Sequence, residues 1–429
     1  MGPTPTTAAP AAAGTEPTAT NAPQRRGGLI SRGWAIVWVA FGATAFSSGG
    51  SQYGFGIFVR PLTEEFGWSR TEINLSLSIG LIAGLLAPLA GWILDRHGAR
   101  LVMTASLGIV AVAFFLRAGM TELWQWYALS ALLAVGMPGT FMPVGKLIGT
   151  WFPKTRGRMM GTAITGNNVF GLIGVPLLNV VVISQGWRLG YAIIGTCLAA
   201  TALAAWLVIR DSPSQGPVIE RQGPSTGRRN PPDLDLTIKE ASRTPAFWLI
   251  MAGLTCAGFS YPSFMTQLIP HMEAEGWDSA KATFALTALA GIALASKITW
   301  GRLSERLTAR ISFVIAILIM SSGVVMVILA RDTAMVWPAI IYFGMGFGGI
   351  GPLMTLVILE AFGLKNLGAI QGSISLVAQI LPVLIGPILA GALFDSTGSY
   401  RASFAIAAGI FAIGAVCVFA ARRPGHRQA

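Results

Sequence analysis

The segment GWILDRHGAR, residues 91–100, joins two long apolar stretches and guides the interpretation of the whole chain. It places one acid, Asp95, beside Arg96 and Arg100, and a glycine follows before the next apolar stretch. A weaker copy, GRLSERLTAR at 301–310, also joins two apolar stretches. Basic residues in short connections between apolar helices are typical of loops at a membrane surface. The two segments therefore predict two equivalent surface loops.

These two loops belong to a longer internal repeat. An offset of about 210 residues aligns Gly91, Asp95 and Arg96 with Gly301, Glu305 and Arg306. Other pairs at nearly the same offset are Gly67-Trp68 with Gly276-Trp277, and Gly157, Gly161 and Pro176 with Gly368, Gly372 and Pro387. Repeated helix bundles are the sequence signature of secondary transporters, whose substrate site lies between the repeats. A duplicated scaffold with no transport role is the alternative.

The composition excludes a soluble protein. Of the 429 residues, 53% are hydrophobic and 11% are charged, whereas soluble domains carry about 25% charged residues. The three cysteines are isolated in apolar stretches, and the three histidines are far apart in sequence. We therefore expect an integral membrane protein that is not an enzyme and has neither a metal site nor a cofactor. No phosphate-binding loop for ATP is present in the sequence.

A membrane-spanning helix needs about 20 mostly apolar residues. Twelve such stretches occur, at 34–59, 72–94, 101–120, 123–150, 158–184, 187–209, 245–270, 280–301, 311–330, 335–361, 367–394 and 400–421. The predicted fold class is an all-α integral membrane protein with two pseudo-symmetric six-helix bundles. The predicted divisions are a disordered tail at 1–33, bundles at 34–209 and 245–421, a linker at 210–244, and a short tail at 422–429.

The distribution of positive charge predicts the orientation. Most of the 30 lysines and arginines lie at the chain ends, in the linker and in the loops on its side of the membrane. Cytoplasmic loops carry such an excess, so both termini are predicted to be cytoplasmic. The net charge of +12 is scattered over short segments. It favours contact with anionic lipid over binding to nucleic acid.

The segment at 91–100 resembles the G-x-x-x-D-R-x-G-R loop of the major facilitator superfamily. Within that superfamily, FGWSR (66–70) and WFPKTRGRMMG (151–161) resemble the monocarboxylate and oxalate/formate branch. The resemblance implies a monomeric transporter of a bacterial inner membrane that works by alternating access. It also implies a gating role for the loop residues Gly91, Asp95, Arg96, Arg100, Gly301, Glu305 and Arg306. The second copy lacks the later glycine, so its turn is expected to differ.

Two lysines lie inside predicted spans, where an ionisable residue is by default functional. Lys297 precedes Glu305 by eight residues, and Lys146 precedes Lys154 by the same number. At about 1.5 Å per residue, both lie roughly 12 Å inside the membrane surface. The resemblance implies that Lys297 stands where the branch carries a substrate-binding arginine. Two cations facing one cavity would suit an organic anion, including a dicarboxylate. The alternative is that each lysine extends toward the headgroups.

Other polar residues are candidates for completing this site. They are Gln52, Tyr53, Asn167, Asn168, Tyr261 and Gln379. Asn168 and Gln379 occupy equivalent positions in the two repeats. Each of these side chains has an alternative role, since a hydrogen bond to a neighbouring helix is worth about 0.6 kcal/mol.

The coupling mode stays open at the level of sequence. Ala293 stands one turn before Lys297, where the resemblance implies an acid for a proton pathway. Proton symport and anion exchange both remain compatible with the chain. Two further functions on the same fold are efflux of a hydrophobic compound and a membrane sensor that does not transport. Embedded lysines disfavour the export of cations, and the linker is too short for a soluble output domain.

Overall fold

The computed structural model describes residue 2 and residues 24–211, 235–259, 264–330 and 333–422. In the first half of the chain, six consecutive helical units run back and forth. They are α1 (Gln24–Thr44, Ala45–Gly49, Gly50–Gln52 and Phe55–Phe66), α2 (Arg70–Ile79 and Leu81–His97), α3 (Ala99–Arg117), α4 (Leu123–Trp151), α5 (Arg156–Ile164, Gly166–Val169, Phe170–Gly174 and Val175–Gln185) and α6 (Trp187–Val208).

The second half repeats this order after the linker. Its units are α7 (Pro245–Gly258 and Thr266–Ala274), α8 (Ser279–Arg306), α9 (Ala309–Leu329), α10 (Thr333–Phe362), α11 (Leu367–Thr397) and α12 (Arg401–Ala420). Within the described residues, ten helices are long and apolar enough to cross a membrane. The other two units, α1 and α7, are divided into shorter segments. The expected twelve-helix membrane fold is confirmed.

One predicted boundary differs from the structure, and the predicted linker contains a helix. The first helix begins at Gln24, before the predicted boundary at residue 34. A helix can continue past the apolar core because polar side chains are solvated among the headgroups. In the predicted linker, a short linker helix spans Ile238–Ser242. The side chain of Thr237 accepts from the backbone N–H of Glu240, whose carboxylate accepts from Thr237 N, so the helix begins with a capping box.

The two repeated loops turn differently, as expected. Gly98 has φ +86°, a conformation that favours glycine, and it lets α3 begin directly after α2. The equivalent Thr308 has extended backbone with φ 177°, and its side chain accepts a hydrogen bond from Ile311 N. The second loop thus starts its helix with a side-chain cap in place of a glycine turn.

The halves meet at the end of the bundle that carries the linker, here called the linker face. Glycines allow this close approach. A Cβ added to Gly91 would lie 2.0 Å from the carbonyl oxygen of Gly368, and one added to Gly157 would lie 2.1 Å from that of Gly301. Hydrogen bonds between described residues join the halves at the linker face and, further along the same contacts, at Lys297. The bundle is therefore closed at the linker face.

Candidate substrate site and gate

Lys297 lies where α8 of the second half contacts α5 of the first. Its ammonium donates to Asn167 Oδ1 at 2.9 Å, to the carbonyl oxygen of Ile164 at 3.3 Å, and to Asn168 Oδ1. The residue is only 7% exposed. Among the described residues, all of its hydrogen-bond partners are neutral oxygens and none is a carboxylate. The site is thus a buried cation without an anionic partner, which is costly unless an anion binds there.

The backbone of α5 is irregular at this point. The helix is interrupted at Thr165, and the next turns run from Gly166–Val169 into a π-helical segment, Phe170–Gly174. Such wide turns displace the side chains that precede and follow them and are frequent at functional sites. Asn167 and Asn168 follow Ile164 by about one helical turn, so the three acceptors of Lys297 lie on one side of α5, directly before the π-helical segment. Sequence periodicity alone does not show that segment.

A second wide turn, Ala45–Gly49 in α1, lies against the one in α5. A Cβ added to Gly49 would meet Phe170 at 2.7 Å and the carbonyl oxygen of Asn167 at 3.2 Å. Just before it, the hydroxyl of Thr44 donates to the carbonyl oxygen of Ala163 at 2.7 Å. These contacts fix α1 to α5 directly beside the asparagines.

Lys146 is not part of this site. Its ammonium donates to Asp95 Oδ1 at 3.0 Å and to the carbonyl oxygen of Leu94 at 3.4 Å. The side chains of Asp95 and Lys146 are 10% and 21% exposed. The sequence predicts Lys146 as a second substrate cation, whereas in this structure its ammonium is paired with Asp95. The reason is geometric, because α2 extends to His97 and carries Asp95 within reach of α4.

Asp95 also joins the two halves. Its oxygens accept from the backbone N–H groups of Gly368 at 3.1 Å and Ala369 at 2.7 Å, in the first turn of α11. The helix has no side-chain cap of its own at Asn366. A carboxylate at a helix N-terminus satisfies free N–H groups and interacts favourably with the helix dipole. Asp95 thus acts as a cap supplied from the opposite half.

Glu305 makes the equivalent contact in the second repeat. It accepts from the backbone N–H of Arg158 at 2.8 Å and from its Nε at 3.0 Å, at the start of α5. Each acid of the repeated loops therefore caps a helix of the opposite half. Arg158 was not among the predicted site residues, although it lies in the quoted segment 151–161. The signal that identifies it is the equivalence of Glu305 with Asp95.

The remaining predicted gate residues lie at the linker face but make local contacts. Arg96 lies 5.3 Å from the ring of Trp92. Arg100 donates to the carbonyl oxygen of Trp206 at 2.8 Å and lies over that ring at 4.0 Å. Arg306 is exposed in the last turn of α8. None of these three is placed between the halves by a described contact.

The other predicted site residues are only partly gathered. Tyr53 is 38% exposed, and its ring lies within 3.0–3.2 Å of a Cβ added to Gly171 in α5. Gln52 and Gln379 are exposed, and Tyr261 lies outside the described residues. Among the described residues, no group of three His, Cys, Asp or Glu side chains is placed to hold a metal ion.

Two six-helix halves with a buried cation between them and reciprocal helix caps on one face define a membrane transporter architecture. The chain belongs to the Major Facilitator Superfamily, whose sequence model matches residues 41–384 and 300–429. It is 27% identical to rat (Rattus norvegicus) monocarboxylate transporter 3 over 396 residues, covering 90% of this chain and 79% of the relative. It is 25% identical to human (Homo sapiens) monocarboxylate transporter 2 over 397 residues, covering 86% and 81%.

Solved structures show the same fold. The transporter FucP in its outward conformation matches with a TM-score of 0.72 and 16% identity, over 92% of this chain and 99% of FucP. The human organic anion transporter MFSD10 matches with a TM-score of 0.63 and 15% identity, over 93% of this chain and all of that structure's chain. The chain is thus a multi-pass integral membrane protein of this superfamily.

Proposed function

We propose that the protein transports small monocarboxylates by alternating access, with Lys297 as the cation that binds the carboxylate. The observation that carries this proposal is the burial of Lys297 among neutral oxygens between the halves. A carboxylate would supply the missing negative charge and form charge-assisted hydrogen bonds with the ammonium. The names of the similar mammalian proteins support the same substrate class.

The ion pairs favour one carboxylate over two. Lys146 is already paired with Asp95, so a second substrate carboxylate would have to displace an acid that also caps α11. Of the two lysines within spans, Lys297 then remains for the substrate. A monoanion such as lactate or pyruvate therefore fits better than oxalate, the dicarboxylate considered from the sequence.

Asn167 and Asn168 support the same site in a second way. A side-chain amide carries both an acceptor and two donors, so rotation of the amide turns an acceptor toward a cation into a donor toward an anion. Both residues therefore suit the free ammonium and, after rotation, a bound carboxylate. Tyr53, which packs on α5 at Gly171, adds a phenol on the neighbouring helix.

The test is uptake of labelled lactate by the purified protein in lipid vesicles. Lys297→Gln keeps the length of the side chain and removes its charge. Because hydrogen bonds to charged groups contribute about 1.5–3 kcal/mol, we expect uptake at low lactate to fall at least about tenfold. Lys281→Gln, an exposed lysine on the same helix, is the matched control and should transport normally. Normal uptake by Lys297→Gln would contradict the assignment.

The same vesicles distinguish the two coupling modes. An inward proton gradient accelerates uptake if protons are co-transported, whereas uptake requires unlabelled lactate inside the vesicles if anions are exchanged obligatorily.

We further propose that the linker face is cytoplasmic, from the excess of basic residues on that side. A single cysteine replacing the exposed Arg302 should then be labelled by an impermeant thiol reagent only after the cells are opened. Labelling in intact cells would reverse the orientation.

A further inference from the structure

The two contacts between the halves are equivalent by the repeat but differ in chemistry. At α2 and α11, a Cβ added to Gly372 would lie 2.4 Å from the carbonyl oxygen of Ala87, and both positions are without charge. At α5 and α8, a Cβ added to Gly161 would lie 2.8 Å from the carbonyl oxygen of Lys297. Lys297 and Ala87 occupy equivalent positions in the repeat. In the contact of α2 with α11 the two helices therefore meet closely at uncharged positions, whereas the contact of α5 with α8 contains the buried cation Lys297.

When the protein is closed at the linker face, the side chain of Lys297 connects the two halves. Its ammonium has three N–H donors, and α5 provides three oxygen acceptors for them. When the linker face opens, α8 separates from α5 and these hydrogen bonds break. Without a substrate, the buried ammonium would then lose its acceptors, which is costly in a membrane interior. A bound carboxylate replaces those acceptors and removes this cost.

We propose that the contact of Lys297 with Asn167 and Asn168 is a latch that holds the substrate-free transporter closed at the linker face. The substrate carboxylate opens the latch by taking over the ammonium, and this inference rests on the proposed function of Lys297. The asparagines are positioning residues in this scheme, because they act on the equilibrium between the two orientations. The empty transporter then rests with its site accessible from the opposite face.

The latch makes a directional prediction for transport. Movement of substrate from the opposite face to the linker face ends with an empty transporter that relatches readily. The reverse movement requires the empty transporter to unlatch first, which is slow. We therefore compare two fluxes of labelled lactate, each with unlabelled lactate added on the receiving side. The flux from the linker face to the opposite face should be accelerated more strongly than the flux from the opposite face to the linker face.

The decisive experiment measures the equilibrium directly, without transport. Cysteines replace the exposed Arg210 and Arg302, one at the linker face of each half, in a chain whose native cysteines are replaced by alanine. Spin labels are attached to these two cysteines, here called the labelled pair, and pulsed electron paramagnetic resonance measures the distance between them. Without substrate, the parent should show mainly the short, closed distance. Lactate should add the long, open one.

Two opposite substitutions at Asn168 test the latch. Asn168→Leu removes an acceptor, and we expect the open-to-closed ratio without substrate to rise about tenfold, which corresponds to about 1.4 kcal/mol. Asn168→Asp supplies a carboxylate to Lys297, so the protein should stay closed even with lactate. Asn179→Leu, an exposed asparagine on the same helix, is the control and should match the parent. Opposite effects are not expected of a residue that only fills space.

The outcomes separate this inference from the proposed function. If Asn168→Leu leaves the substrate-free ratio unchanged while lactate opens the parent, the latch is wrong and the substrate site stands. If Asn168→Leu opens the protein but lactate never affects the parent, the latch stands and the substrate class is wrong. If Asn168→Asp opens like Asn168→Leu, the residue only packs and the latch is wrong.

Discussion

Replacing Asp95 with asparagine should open the linker face. Asp95 pairs with Lys146 at 3.0 Å and accepts from two N–H groups of α11. The ion pair with Lys146 lies within one half and survives opening, so the closed state loses only the contacts of Asp95 with α11. Hydrogen bonds to a charged group contribute about 1.5–3 kcal/mol, and a charge at a helix terminus adds about 0.3–1 kcal/mol. Because asparagine keeps one acceptor but no charge, we expect the closed state to lose about 2–3 kcal/mol, roughly a 30- to 150-fold change in the open-to-closed ratio.

The assay is a double-mutant cycle on the labelled pair at residues 210 and 302. The variants are Asp95→Asn, Lys146→Met and both together. The double variant should be more closed than Asp95→Asn alone, because it no longer contains an unpaired ammonium at the contact. Effects that add within about 0.5 kcal/mol would mean that the two side chains are not coupled. That result would mean that Lys146 does not influence the cap that Asp95 places on α11.

Three further predictions concern glycine packing, the linker helix and substrate charge. Gly91→Ala should abolish the closed state and transport, because its Cβ would lie 2.0 Å from the carbonyl oxygen of Gly368; Gly291→Ala, whose Cβ meets nothing within 4 Å, is the control for uptake and thermal unfolding. The hydrogen bond from the backbone N–H of Thr237 lowers the pKa of Glu240 below its usual value. The stability that the capping box contributes is therefore fully present above the unfolded pKa of about 4.3. It is lost as the pH falls through the lower pKa of the folded state. Amide exchange of Ile238–Ser242, corrected for intrinsic rates, should therefore rise below about pH 4 in the parent and not in Glu240→Gln; equal rises would dismiss the cap. Lys146→Gln should reduce transport of lactate and of oxalate by the same factor, and a loss confined to oxalate would return Lys146 to the substrate site.

Helix number and the repeat could be predicted because they depend on local composition and on regular spacing. The apolar length of each span and the offset of Gly91 from Gly301 need no tertiary information. The breaks within α1 and α5 could not be predicted in this way. Wide turns such as Ala45–Gly49 and Phe170–Gly174 are stabilised by the packing of one helix against another. The early start of α1 at Gln24 lies in polar sequence that hydropathy does not assign to a span.

The site was predictable in residue type but not in pairing. Burial of Lys297 follows from its depth in an apolar helix, and the sequence named Asn167 and Asn168 as candidates. The contact of Lys297 with the two asparagines depends on which helices of the two halves are neighbours. The sequence of a single chain does not contain that information. The pairing of Lys146 with Asp95 was not predicted because the sequence ended α2 at residue 94. The helix continues to His97, which places Asp95 inside the helix and close to α4.

The ends of the linker are each tied to a different half. Asp211 accepts from the backbone N–H groups of Ala99 and Arg100, at the start of α3. Asp235 accepts from those of Leu364 and Lys365, just before α11. Each described end of the linker is therefore fixed by a carboxylate to a helix start of its own half. If one half rotates, the strain at its end of the linker is carried by backbone N–H groups of that same half.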